Sequence, residues 1–315
     1  MRKKLIKIKS GVLSHLFLFF LTACASSVSA DPGLSTAPPA SVQNPTEIVV
    51  VQENQVGKEE QQEQIESTPT PDIRPLPEDW KNWPVIPDIS NRSKEIAADG
   101  REKGVNQRAF SKIGDCQNVS EAFMGLYDRQ YFFLPEENKE YQETIENFKG
   151  FFFRNGEAFG QGLNTAAALS PFHANPDVCL PSEGPVQCEL RIVNPAYAFI
   201  RFERWYPDVT PPEEYEKYLR QVIDLVIENG TVPILMTKAD DVEGGHKINA
   251  IIAKLAFEYD IPLFNWWRAA QALPNRGMDP ERNDGFHIDP NYGWTGQTLN
   301  GLGTLHAVWK ATRGY

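Results

Sequence analysis

From residue 195 to the C-terminus, short apolar runs take turns with stretches of helical periodicity, and this alternation restricts the fold more than any other feature. Residues 195–202 (PAYAFIRF) read as a strand. Over 213–229, Tyr215, Tyr218, Leu219, Val222, Ile223 and Val226 recur at three- and four-residue spacing, a helix that Gly230 stops. Residues 232–237 (VPILMT) give the next strand; Ile248, Ile251, Ile252, Leu255 and Tyr259 mark a second amphipathic helix. Residues 262–266 (PLFNW) then read as a strand and 298–312 as a closing helix. Upstream, 108–115 (RAFSKIGD) reads as a strand ending in a Gly-containing turn. Strands separated by helices of this length are joined by crossovers, which make neighbours parallel and cover both sheet faces. The expected fold class is therefore α/β, three layers α/β/α around a mostly parallel central sheet. With 41% hydrophobic residues, 18 Phe and 7 Trp, the chain has material for a full core and is not a wholly disordered one. It contains no internal repeat.

Residues 1–75 have a different character. Arg2, Lys3, Lys4, Lys7 and Lys9 precede an apolar stretch over 12–23. That stretch is short of the ~20 residues of a membrane span and suits the core of a signal peptide. It ends in Leu21-Thr22-Ala23-Cys24, which resembles a bacterial lipobox. Residues 1–23 are thus expected to be a lipoprotein signal peptide and Cys24 the lipidated first residue of the mature chain. Ordinary cleavage near Ala30 is the alternative. The expected location is outside the cytoplasm, with the protein exported and held to the membrane by covalent lipid. Losing the signal removes five positive charges and no negative one, so the formal net charge of −11 becomes more negative. Charge alone would not draw such a chain to anionic lipid. Residues 24–75 are rich in Ser, Thr, Pro, Gln and Glu, and Ile48-Val49-Val50-Val51 is their one apolar cluster. Four such residues do not offset the ordering entropy of about fifty, so a disordered tether is expected. Residues 76–315 are then the folded domain. Since no Lys/Arg-rich run lies outside the N-terminus, no nucleic-acid partner is expected.

The four cysteines separate by context. Cys179 and Cys188 bracket a Pro- and Gly-containing segment in a chain expected to be exported, and a local disulfide is the natural reading. No pattern of His or carboxylate at ligand spacing accompanies them, so no metal is expected. Cys24 is the lipid site. Cys116 is left outside the expected disulfide and the lipid site.

Its position gives it interest. Cys116 follows Gly114-Asp115 directly after the first strand of the domain, and ligands gather at the carboxyl ends of strands in open parallel sheets. Far along the chain stands Asp284-Gly285-Phe286-His287. A carboxylate three residues before an imidazole can hold its Nδ1 side, leaving Nε2 to accept a proton from a nucleophile. The order nucleophile, Asp, His suggests a triad of Cys116, Asp284 and His287.

With these blocks in view, the domain resembles the SGNH, or GDSL-type, esterase/lipase superfamily, in particular its bacterial lipoprotein-like members. The family's Gly-Asp-Ser block is matched by Gly114-Asp115-Cys116 and its final DxxH by Asp284 and His287. Cys188-Glu189, Pro233-Ile234-Leu235 ahead of Lys238-Ala239-Asp240-Asp241, and Pro262-Leu263-Phe264-Asn265 fit the same subgroup, so the resemblance spans 105–312. It implies a flavodoxin-like SGNH hydrolase fold and hydrolysis of an acyl ester, including an O-acetyl group on a polysaccharide. Cys116 would be the nucleophile, His287 the general base and then acid, and Asp284 the orienter, with no cofactor.

Two departures stand out. Cys116 replaces the serine, and a thiolate is a competent nucleophile beside a His that lowers its pKa. The Gly-x-Asn-Asp block expected after residue 202 is absent; Arg201-Phe202-Glu203-Arg204-Trp205-Tyr206-Pro207-Asp208 stands there. Losing one oxyanion donor of that kind costs about 3 kcal/mol. Arg201 and Arg204 are long enough to donate, yet with Glu203 between them a solvated or ion-paired loop is the expectation. The oxyanion donors that survive are the backbone N–H of Cys116 and that of Gly160 or Gly162, with Gly162 favoured because it leads into the small-residue run 164–168. His15 falls in the signal and His173 in a Pro-containing loop. His246 is read as opening a helix at a pocket rim, and His306, within the last helix, as packing or solvent-facing. Trp266, Trp267 and Trp294 are read as core, with a sugar-binding cleft as the alternative. The competing function is a carbohydrate or cell-envelope binding module on a hydrolase fold that has lost catalysis. The partner is then an acyl ester or a carbohydrate, and the oligomeric state stays open.

Overall fold

The computed structural model describes residues 74–129, 132–202, 211–282 and 284–314. The signal peptide, Cys24 and nearly all of the expected tether lie outside them. Arg74, assigned to the tether, donates to Phe257 O (2.9 Å), pairs with Asp260 (2.8 Å) and stacks on the Phe257 ring.

Four strands form one parallel sheet in the order β1-β2-β3-β4: β1 (Asn106–Gly114), β2 (Pro195–Arg201), β3 (Val232–Met236) and β4 (Leu263–Phe264). The helices are α1 (Asn91–Glu102), α2 (Gln142–Asn147), α3 (Pro185–Val193), α4 (Pro212–Glu228), α5 (Glu243–His246), α6 (Ile248–Tyr259), α7 (Trp266–Ala270) and α8 (Gly293–Thr312). Ile113 pairs with Ile200, Gly114 with Arg201, Phe199 with Ile234 and Met236 with Phe264. All seven residues of β2 and all five of β3 are buried, as strands covered on both faces must be.

Strand order that follows chain order, joined by right-handed crossovers, puts α3, α4 and α6 on one face. The helices before β1 and after β4, α1 and α8, pair on the other, where Arg101 donates to Thr312 O at 2.9 Å. Close approach is built into this layer. A Cβ on Gly100 of α1 would lie 2.0 Å from Gly230 O, and one on Gly301 of α8 2.6 Å from the Phe123 ring. The α/β class and layered arrangement thus agree with the sequence reading, and the sheet is parallel throughout among the described residues.

Several boundaries differ. The strand expected over 262–266 is two residues long, because Asn265 caps α7, its Oδ1 accepting from Arg268 N at 3.2 Å. The closing helix starts at Gly293, five residues early. Gly244 and Gly245 hold φ of 60° and 65°, so His246 (φ 68°) does not open the long helix, which begins at Ile248. The Cys179–Cys188 disulfide forms, tying the preceding loop to α3, where Cys188 resides. Trp266 is wholly buried, Trp267 packs edge-on to Trp80 at 5.1 Å, and Trp294 rests against the core. Trp266 belongs to the interior, as expected, while Trp267 and Trp294 are partly buried at its edge.

Candidate active site

The carboxyl end of β1 is held from several directions. Gly114 takes a φ of 146°, and a Cβ there would fall 1.6 Å from Arg201 O and 2.2 Å from Asn118 Nδ2, so the strand end accepts only glycine. Its N–H donates to Ala158 O (2.9 Å) and its carbonyl accepts from Gly160 N (3.1 Å), which brings Phe159 alongside as a one-residue parallel bridge. The Asn118 side-chain amide donates to Ile113 O at 3.1 Å and to Arg201 O at 2.9 Å, joining the ends of β1 and β2. Asp115, fully buried, accepts from Gln117 N at 3.0 Å and so caps the 3-10 turn Cys116–Asn118. Cys116 opens that turn, half-buried, just past the end of β1.

Asp284 and His287 come together within one loop. Met278 and Ile288 form an antiparallel bridge, and Asp279 N donates to His287 O at 2.9 Å. Across the loop tip, Asp284 Oδ1 accepts from the backbone N–H groups of Phe286 (3.2 Å) and His287 (3.1 Å), with Gly285 between them at φ 73°. The other carboxylate oxygen meets His287 Nδ1 at 2.5 Å. Burial pushes the Asp284 carboxyl up, but those two N–H groups and the imidazole outweigh it and hold the group below the usual carboxylate range.

The tautomer of His287 follows from a neighbour. Arg282 Nη1 lies 2.7 Å from Nε2. A guanidinium only donates, so Nε2 accepts, and the single proton of a neutral ring sits on Nδ1, directed at Asp284. This is the tautomer a general base needs.

The dyad loop runs into α8, whose first turns dock on the strand ends. Gln297 accepts from Arg201 Nη1 at 2.5 Å and donates to Ala122 O at 2.8 Å; Thr298 Oγ1 accepts from Met124 N at 3.0 Å. After β3, Val242 reaches the dyad loop, its Cγ2 lying 3.8 Å from where a Gly285 Cβ would be. Cys116 and the dyad loop therefore border the same, carboxyl, end of the sheet. The loop after β3 is fixed from inside. Lys238 is buried and paired with Asp240 (3.1 Å) and Glu243, while Asn249 accepts from Lys238 N and donates to Asp240 O, both at 2.7 Å.

Of the two glycines weighed as oxyanion donors, Gly160 uses its N–H on Gly114. Gly162, at φ 72°, lines a hollow of about 410 Å³ with Gln161, Asn164 and His173. Arg201 overturns the expectation of a solvated or ion-paired loop. It is the last residue of β2, fully buried, over the Phe123 ring and bonded to Gln297. Glu203 and Arg204 fall outside the described residues. His306 packs as expected, its Nδ1 2.8 Å from Thr144 Oγ1 and its ring against Tyr141. Sequence reasoning missed Asn118 and Arg282: a lone amide two residues past a cysteine and an arginine two before an aspartate carry no recognised spacing. A separate hollow of about 310 Å³ at Arg74, Trp83, Phe257 and Asp260 sits where the chain enters β4, the opposite sheet end. Among the described residues no group of His, Cys, Asp and Glu could hold a metal ion.

No family model and no curated protein matches the chain. Among solved structures it is similar to a GDSL-like lipase from Bacteroides thetaiotaomicron, at 14% identity and a TM-score of 0.40, covering 70% of this chain and 98% of that one. It is also similar to an acetyl xylan esterase, at 14% identity and a TM-score of 0.39, covering 64% and 98%. The blocks at Gly114-Asp115-Cys116 and Asp284-His287 remain the features in which the chain resembles the SGNH/GDSL-type hydrolases.

Proposed function

We propose that the protein is an ester hydrolase that transfers an acyl group to Cys116 and then to water. The observation that carries this reading is the dyad: Nδ1 of His287 at 2.5 Å from Asp284 with Nε2 as an acceptor, on the sheet end where Cys116 starts its turn. His287 takes the Cys116 proton through Nε2 and the thiolate attacks the ester carbonyl. The backbone N–H groups of Cys116 and Gly162 stabilise the oxyanion, fewer donors than the family pattern holds. The imidazolium, steadied by Asp284, returns its proton to the leaving alkoxide, and water then releases the acid by the same path. The substrate class is an acyl ester, with O-acetylated polysaccharide in first place. Residues 1–23 would be removed as a signal peptide and lipid on Cys24 would hold the enzyme on the extracytoplasmic side of the membrane, with 24–75 as its tether.

Steady-state hydrolysis of p-nitrophenyl acetate tests this on wild type, Cys116→Ala, Cys116→Ser and His287→Ala. Sustained turnover lost in both alanine variants supports a thiol hydrolase; a single burst does not, since any exposed thiol acylates once. Silence in all four, beside measurable binding of acetylated glycan, would replace the enzyme with the binding module.

A further inference from the structure

The Nε2 atom of His287 has one lone pair, and Arg282 donates into it at 2.7 Å. While that bond stands, a thiol cannot deliver its proton there. We propose that Arg282 is a positioning residue that keeps Cys116 protonated until substrate arrives, a role that rests on the Cys116–His287 pairing proposed above.

Two features make the bond a switch rather than a fixed cap. Arg282 is about half exposed, and a second acceptor is within reach: its Nε is 3.6 Å from Asp279 Oδ2, on the residue that pairs its own backbone with His287 O. Asp279 is itself held, accepting from Glu281 N at 2.9 Å. Rotation of the guanidinium toward Asp279 gives up the Nε2 bond for a fuller ion pair. The proton then passes from Cys116 Sγ to His287 Nε2, leaving a thiolate and an imidazolium. That imidazolium has no lone pair and repels Arg282, so the two states exclude one another. Among the described residues Asp284 faces Nδ1, and the loop after β3, which reaches the dyad loop at Val242, carries Asp241 and Glu243. Asp241 is paired with Lys81 and Glu243 with Lys238, while Arg282 is the cation bonded to Nε2 among the described residues.

The consequence is chemical restraint. A thiolate is the form that attacks, oxidises and exchanges with disulfides, and its fraction rises as a neighbouring base becomes available. Arg282 withholds that base in the resting protein.

The test is the alkylation rate of Cys116 by iodoacetamide at pH 7 on the full-length protein, read by mass spectrometry on the Cys116 peptide. Wild type, Arg282→Gln, His287→Gln and the double variant are compared. For each unit by which a freed His287 lowers the thiol pKa, more thiolate and weaker intrinsic nucleophilicity combine to a gain of about threefold. Arg282→Gln should therefore alkylate about threefold faster or more, and His287→Gln should erase that gain. An unchanged or slower rate in Arg282→Gln overturns the switch, as does a gain that persists in the double variant. Ester turnover on the same preparations separates the two readings. Turnover in wild type with no gain in Arg282→Gln removes the switch alone, while a gain without any turnover removes the hydrolase alone.

Discussion

At the end of β1, Gly114, Asp115 and Asn118 are buried and bonded to two strands and to the turn beyond, whereas Asp284 and His287 are partly exposed and bonded within a single loop. The first block is a junction of the sheet: its residues carry the fold and present Cys116 as a by-product. The second is a local device hung on the N-terminal end of α8, whose geometry comes from its own turn. Damage to the first should therefore appear as lost stability, and damage to the second as lost chemistry in a folded protein.

The sharpest break of this contrast is Gly114→Ala. A methyl group 1.6 Å from a backbone oxygen has nowhere to go, and a loss of about 4 kcal/mol or outright failure to fold is expected in urea denaturation. Asn118→Ala follows, at about 2–3 kcal/mol, because two buried carbonyls lose their donor.

Lys112, in β1, extends the comparison to pH. Its ammonium donates to Phe152 O (2.9 Å) and Phe123 O (3.4 Å). Burial, helped by the Arg201 charge, pushes its pKa down to about 7 against the partial opposition of Glu121 and Asp128. Between about pH 7 and the unfolded value near 10.5 the unfolded chain binds the extra proton, so Lys112 makes stability rise with pH across that window and adds no slope below it. Lys112→Met should remove that rise, measured as the difference between the two proteins' urea midpoints from pH 7 to 10. Equal slopes would mean the lysine stays charged inside. Smallest in stability is His287→Gln, expected within about 0.5 kcal/mol of wild type, while its ester turnover falls a hundredfold or more. If it unfolds instead, the dyad loop is part of the junction and the contrast fails.

The legible parts of this molecule are those whose burial is written in periodicity. The uniformly apolar β2 and β3 and the striped α4 and α6 were readable because packing on both sides of a sheet demands those patterns. The strand at 262–266 was over-read since an apolar run fits a buried helix as well as a strand, and the Asn265 cap decides between them. The first helix escaped notice because NRSKEIAADGRE buries only Ser93, Ile96, Ala97 and Gly100. Arg201 was misjudged for a general reason: arginine is rarely wholly buried, and its partner Gln297 is ninety-six residues away. In the site, Asp284 and His287 were visible because three-residue spacing is local. Asn118 and Arg282 act through atoms that folding alone brings near.

Strand order that copies chain order has a consequence for how the chain assembles. Each strand joins the one just before it, so pairing from β1 to β4 advances with the chain, its longest closure being the one from Gly114 to Pro195. The exception is the last helix, where Thr312 meets Arg101 and Tyr197, 211 and 115 residues away. Until the final turn of α8 arrives, the sheet face it shares with α1 and Phe148 is incompletely covered, and a chain shortened there by a dozen residues would keep its strands and lose its seal, a form prone to aggregate.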